Sequence, residues 1–183
     1  DTRGPCAGTL FVALAGERGD GHAYLDRAIA QGAAALLVSS ARRADALAVS
    51  LGAAVFDVPD TLAGLQALAA AWRERVNPNV IAITGSTGKT GTKNLAAAIL
   101  SRRFAVHATP GNLNNHIGLP LTLLGMGGGE EICVTEMGAN HRKEIKALCE
   151  IAKPAIGVVT NVGPAHLEHF GTLKGVASAK AEL

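Results

Sequence analysis

Residues 83–95 read "ITGSTGKTGTKNL", a glycine-bounded turn with a lysine, set between an apolar run and a run of helix formers. The run before it, Val80-Ile81-Ala82-Ile83, is short and β-branched, the pattern of a strand buried on both faces of a parallel sheet. After it, Leu95, Ile99 and Leu100 recur at helical spacing around the helix formers Ala96 to Ala98. Strand, Gly-rich turn and helix is the order a phosphate-binding loop requires. Gly85 and Gly88 permit backbone angles and close approach that a side chain would block, so successive N–H groups can face one anion. The helix that follows adds its own unpaired N–H groups and the positive end of its dipole. In that frame Lys89 neutralises the outer phosphates and the Thr90 hydroxyl ligates Mg²⁺, with Ser86, Thr87 and Gly91 in the same nucleotide-binding stretch. The general pattern G-x-x-x-x-G-K-[ST] asks for glycine where this chain has Ile83, so G-x-x-G-K-T is what remains. The alternative is a Gly-rich strand-to-helix turn with an exposed lysine.

Outward from this loop, two halves separate near Asn77-Pro78-Asn79, giving expected domains over 1–77 and 78–183. In the first, residues 10–14, 34–38 and 53–58 read as strands and 22–31, 41–50 and 61–75 as helices. The last helix carries Leu62, Leu65, Leu68, Ala69 and Trp72 on one face, with Asp60 as its cap and Trp72 as core. In the second half, strands are expected at 80–84, 105–109, 131–136 and 155–162, and helices near 90–102, 117–124, 141–151 and 173–183. Alternating strands and helices give an α/β fold, a small α/β domain followed by a P-loop domain with a mostly parallel sheet.

Composition narrows the function classes. The chain has 183 residues, 48% hydrophobic and 17% charged, enough for one large or two small globular domains. A net charge of +2 without a basic cluster, and aromatics at 3%, argue against nucleic acid as a partner. No apolar run approaches the roughly 18 residues of a membrane span, and residues 1–5 do not resemble a signal peptide. The expected setting is therefore cytoplasmic, with no membrane insertion. Cys6, Cys133 and Cys149 have no metal-type spacing and read as reduced thiols, two of them buried.

Ligands in open α/β sheets collect at the carboxyl ends of the strands, which singles out further residues. Glu136 ends the apolar run Ile132-Cys133-Val134-Thr135, where an acid can face the loop threonine across a nucleotide and hold Mg²⁺. The bland alternative is an acid emerging into solvent. His166 follows a strand end and a Gly-Pro turn in "TNVGPAH" (160–166) and is either structural or part of the site. On spacing alone, Lys180 is an ordinary solvated helix lysine.

Several stretches together resemble the Mur ligase family of peptidoglycan synthesis: the G-S-T-G-K-T loop, "TPGNLNNHIGLPLTLL" (109–124), "EMGANHRKEI" (136–145) and "TNVGPAHLEHFGTLKGVASAKAEL" (160–183). "DTR" (1–3), "GTLFVALAGERGDGH" (8–22) and "QGAAALLV" (31–38) are similar to the family's amino-terminal domain, which holds the UDP end of the substrate. The loop alone fits the whole superfamily, folylpolyglutamate synthase included. "GNLNNHIGLP" with "EMGANH" is similar to the branch that adds D-alanyl-D-alanine to UDP-N-acetylmuramoyl-tripeptide.

The resemblance implies an ATP-dependent ligase that phosphorylates a carboxylate and lets an amine attack the acyl phosphate, releasing ADP and phosphate. It implies that Lys89 and the loop amides bind the transferring phosphoryl group and that Thr90 and Glu136 hold one Mg²⁺. His166 would go with a second Mg²⁺, and Lys180, in "SAKAEL", matches the lysine that members carry as a carbamate, so Lys89, His166 and Lys180 become the catalytic candidates. Asn112, Asn114 and Asn115 lie in the branch motif, and at least one is expected to contact substrate or phosphate. Asp1, Thr2 and Arg3 are expected near the uridine diphosphate. This chain has Ala181 where "AKGE" is common. Against the family's three domains, the 183 residues are expected to supply a P-loop and first metal ligands but not a complete active site, with a monomer expected at full length and one sheet edge left unpaired. Two rival readings remain: a Mur ligase adding a single amino acid, and a nucleotide- or UDP-sugar-binding module without chemistry.

Overall fold

In the structure, a computed structural model that describes residues 2–16 and 19–183, the chain falls into two units, Asp1–Leu65 and Gln66–Leu183. The first unit runs β1 (Leu10–Val12), β2 (Ala15–Gly16), β3 (Gly19–Asp20), a 3-10 turn (Gly21–Tyr24), α1 (Leu25–Ala30), β4 (Ala35–Ser39), a second 3-10 turn (Ser40–Arg42), α2 (Arg43–Val49) and β5 (Ala54–Val58). Strands β1, β4 and β5 form a parallel sheet in that order, with Phe11 opposite Leu36 and Leu37 opposite Phe56. Phe11, Leu25, Leu36 and Val38 pack with Ala28 and Ala46 to form its core.

The strand expected over 10–14 stops at Val12, because the chain turns: the Leu14 N–H donates to Val12 O (3.1 Å) and Leu14 O accepts from the Gly21 N–H (2.8 Å). The short β2–β3 pair that follows lay outside the sequence expectation, since two-residue strands carry no periodicity. The helix expected from residue 22 starts as a 3-10 turn, with the Asp20 carboxylate accepting from the His22 N–H (2.9 Å). His22 is buried. Its Nε2 accepts from the Ser39 N–H (2.9 Å), which leaves the proton on Nδ1 for Asp20 Oδ1 (2.5 Å).

Helix α3 (Thr61–Val76) opens on the expected cap, Asp60 Oδ1 accepting from the Leu62 (2.8 Å) and Ala63 (3.2 Å) N–H groups. Its buried stripe is narrower than expected. Leu65 and Ala69 are buried, whereas Leu68 is 41% exposed.

The second unit continues with β6 (Asn79–Thr84), α4 (Lys89–Leu100), β7 (Val106–Ala108), α5 (Gly118–Leu124), β8 (Ile132–Glu136), α6 (Glu144–Ala152), β9 (Ile156–Val159), α7 (Leu167–Phe170) and α8 (Leu173–Lys180). Its four strands are all parallel, in the order β7-β8-β6-β9. The period of two along the strands splits their side chains between two cores. Val80, Ala82 and Cys133 face one way and pack with Ala69, Leu119, Leu123 and Leu148. Ile81, Ile83, Ile132 and Val134 face the other and pack with Ala96, Ala97 and Leu100. Burying a leucine such as Leu119 or Leu123 contributes about 1.5–3 kcal/mol each. Trp72 packs on the first of these cores as expected, its Nε1–H donating to Met126 O (3.0 Å). On α4, Leu95 and Ile99 are more than half exposed, so the inward face is the one carrying Ala96, Ala97 and Leu100. Among the described residues, no helix is long and apolar enough to cross a membrane.

The strand order places the site. From β6 the chain crosses to β7 and returns through β8, and from β8 it crosses to β9 on the opposite side of β6. Connections therefore diverge at the carboxyl ends of β6 and β8, the position where open α/β sheets form a crevice.

Candidate nucleotide and metal site

β6 ends at Thr84, whose buried hydroxyl donates to Met137 O (2.8 Å) just beyond β8 and so ties the two strand ends together. Gly85 follows with φ +148°, and a Cβ there would overlap Thr160 Oγ1. Gly88, at the start of α4, has φ +79°. Both values lie where L side chains are strained, which gives the two loop glycines their physical reason. The loop is braced from the segment after β9. Thr160 Oγ1 donates to Thr87 O (2.6 Å), Asn161 Oδ1 accepts from the Thr87 N–H (3.0 Å), and Ser86 Oγ donates to Gly163 O (2.9 Å).

Lys89 opens α4, and its ammonium donates to Gly85 O (2.9 Å) and Ser86 O (3.5 Å), which holds the charge over the loop. One residue on, Thr90 Oγ1 donates to Glu136 Oε2 (2.8 Å). Glu136 is 2% exposed at the end of β8, its second oxygen accepting from Asn114 Nδ2 (2.8 Å). Among the described residues no three His, Cys, Asp or Glu side chains gather as a ready metal cluster. A hydroxyl and a carboxylate beside such a glycine loop are nevertheless hard oxygen donors of the kind Mg²⁺ takes when phosphate and water complete its shell. The pair fits that ion.

A cavity of about 560 Å³ opens beside the loop, with Gly85, Lys89, Asn114, Asn115, His166 and Lys180 in its wall. His166 stands at φ +51°, exposed, its Nδ1 3.9 Å from Glu168 Oε1. Lys180 ends α8 and is 3% exposed, unlike the solvated lysine its spacing suggests. Burial pushes its ammonium below the ordinary lysine range, and the Lys89 charge pushes it further the same way. Glu182, just past α8, accepts from the Lys143 (2.7 Å) and Lys146 (3.2 Å) N–H groups at the start of α6, anchoring the turn that carries Lys180.

Of the three asparagines, Asn112 is exposed and its carbonyl accepts from the Asn114 N–H (2.7 Å). Asn115 Oδ1 accepts from the Ile117 and Gly118 N–H groups at the start of α5 (3.1 and 2.8 Å). Gly91 lies in the first turn of α4 with open space where a Cβ would stand. In the first unit, Thr2 is buried with its carbonyl accepting from Gln31 Nε2 (2.9 Å), Arg3 is exposed, and Asp1 lies outside the described residues.

Sequence reasoning missed Lys93. It is 3% exposed, and its ammonium donates to Thr109 O (2.6 Å) and Gly111 O (3.4 Å). A signal was present: Lys93, Ala96, Ala97 and Leu100 stand at i, i+3, i+4 and i+7, the inward stripe of α4. Thr109 Oγ1 in turn accepts from the Glu136 N–H (3.0 Å).

Comparison with known proteins identifies the family. The family described as "Mur ligase middle domain" matches residues 83–183, which hold the loop, Glu136, His166 and Lys180. The chain belongs to the Mur ligase family. The description "Mur ligase family, catalytic domain" matches residues 1–73. Among curated relatives, the UDP-N-acetylmuramoyl-tripeptide–D-alanyl-D-alanine ligase of Escherichia coli (strain K12) is 46% identical over 183 residues, and that of Synechocystis sp. is 44% identical. In both cases the match covers 100% of this chain and 39% of the relative. The chain thus spans about 39% of the length of these Mur ligases. A crystal structure of MurF from Acinetobacter baumannii superposes with a TM-score of 0.88 at 38% identity, covering 100% of this chain and 39% of that one. MurF ligase from Thermotoga maritima, solved in complex with ADP, gives 0.86 at 37% identity, covering 100% and 41%.

Proposed function

We propose that this Mur ligase chain serves an ATP-dependent amide ligase of peptidoglycan precursor synthesis, one that joins D-alanyl-D-alanine to UDP-N-acetylmuramoyl-tripeptide through an acyl phosphate. The observation that carries the proposal is the Thr90–Glu136 contact beside the glycine loop (2.8 Å). The names of the relatives supply the substrate pair. In this reading residues 1–77 hold the UDP end, residues 78–183 hold ATP, and the enzyme works as a cytoplasmic monomer at full length.

ATP with Mg²⁺, when bound, supplies the phosphoryl group that activates the tripeptide carboxylate. The chain's own residues position and neutralise. The turn from Gly85 to Thr90 would present the N–H groups at the start of α4 to phosphate oxygens, with Ser86 and Thr87 bracing it through their own N–H groups on Asn161, and Lys89 adds a cation at the same point. Gly91 keeps the first turn of α4 open, Asn115 stands in the cavity wall with its Oδ1 on the start of α5, and Asn112 would reach ligand from the exposed stretch before it. Thr90 and Glu136 would hold the ion. Lys180 would bear a carbamate: burial and the Lys89 charge favour the neutral amine that CO₂ needs, and the adduct is an oxygen donor a hard cation accepts, with His166 as its companion in the cavity wall.

The test is phosphate release from ATP in a polypeptide of the relatives' full length that carries these residues. Release that requires both UDP-N-acetylmuramoyl-tripeptide and D-alanyl-D-alanine is expected. Equal release with a single amino acid in place of the dipeptide would overturn the substrate assignment.

A further inference from the structure

Glu136 has two carboxylate oxygens, and the structure commits them differently. Oε2 faces Thr90 Oγ1, while Oε1 accepts from Asn114 Nδ2, each at 2.8 Å. A carboxylate only accepts, so the amide nitrogen of Asn114 must be the atom that faces it. Asn114 is itself held at both ends. Its carbonyl accepts from the Gly138 N–H (2.8 Å), and its side chain lies where a Cβ on residue 138 would come within 3.0 Å of Oδ1. The glycine of "EMG" thus leaves the room that this amide occupies. From beneath, the buried Lys93 ammonium holds Thr109 O, and Thr109 Oγ1 takes the Glu136 N–H.

We infer that Asn114 is a positioning residue for the metal site: it engages one oxygen of Glu136 and thereby fixes the other toward Thr90, with Lys93 and Thr109 holding the backbone beneath. This departs from the expectation that the asparagine motif contacts substrate or phosphate, at least for this asparagine. It rests on Glu136 being a metal ligand. Partners that orient a ligating carboxylate are worth about 10–100-fold in metal affinity.

The probe is Mn²⁺, titrated into the 183-residue chain with ADP present and followed by the EPR signal of the free ion. ADP affinity in EDTA is measured alongside. For Asn114→Leu, of similar size but without a donor, Mn²⁺ affinity should fall about 10–100-fold while metal-free ADP affinity holds. Asn114→Ser carries the same test should the leucine variant fail to fold. Unchanged Mn²⁺ affinity in a folded variant would overturn the inference, as would an equal loss of metal-free ADP binding, which marks a general structural defect. Glu136→Gln separates the two levels. If that variant binds Mn²⁺ like the unaltered chain, or if the unaltered chain binds none, the metal assignment itself fails and the role of Asn114 goes with it.

Discussion

Replacing Gly85 by alanine probes the turn on which the site depends. Gly85 has φ +148°, and the new methyl group would overlap Thr160 Oγ1 and stand 3.2 Å from the Asn161 nitrogen. Holding a non-glycine residue in that region costs on the order of 1–3 kcal/mol. Moving Thr160 aside also breaks its hydroxyl bond to Thr87 O (2.6 Å), a further loss of about 1 kcal/mol. The sum is a destabilisation of about 2–4 kcal/mol. Trp72 is the only tryptophan and packs in the core of the second unit, so its fluorescence during urea unfolding reports on the unit that contains the loop. Thr160→Ala removes the overlapping oxygen but leaves the backbone angle. Gly85→Ala and Thr160→Ala should therefore couple favourably, by about 1 kcal/mol or more. A Gly85→Ala variant within about 0.5 kcal/mol of the parent, or strict additivity with Thr160→Ala, would refute this account of the loop.

Two further outcomes follow from buried or bonded charges. Lys93→Met keeps the stem but strips Thr109 O of its charged donor, so the urea stability of the second unit should drop by about 1–3 kcal/mol, and an unchanged transition would show that the ammonium contributes nothing net. Asp20 is held below the ordinary carboxylate range by the His22 backbone N–H first and the His22 ring second. A depressed folded-state value means its contribution is present well above the unfolded value of about 4 and is lost as pH falls through the folded one. The protection of the β4 amides against hydrogen exchange should therefore differ between Asp20→Asn and the parent near neutrality and converge on acidification; a gap that stays constant with pH would contradict the linkage.

The strands of the second unit were legible because parallel, doubly buried strands leave continuous apolar runs. Val80 to Ile83 and Ile132 to Thr135 are such runs, the first leading into the glycine loop and the second into Glu136. The loop was legible because Gly85 and Gly88 answer to backbone angles that other residues avoid. Which face of α4 turns inward was not, since Leu95 and Ile99 are more apolar than Ala96 and Ala97, yet the close approach of helix to sheet takes the smaller side chains. That misplaced face hid Lys93. Lys180 shows the limit from the other side: no local pattern distinguishes a buried helix-end lysine from a solvated one, and only the fold shows α8 packed with α6 and α7 through Ile145, Phe170, Val176 and Ala179. Among the asparagines, the motif named the group, but only the folded chain showed Asn114 turned to Glu136 and Asn115 to the start of α5.

The most direct test of the central claim is a calorimetric titration of the 183-residue chain with Mg-ATP, beside its Lys89→Ala variant. Saturable binding that the variant loses is the predicted result, since the role proposed for Lys89 is to meet phosphate. Binding of equal strength in the folded variant would contradict it, and Lys89 would then be no more than a brace for the carbonyls of Gly85 and Ser86.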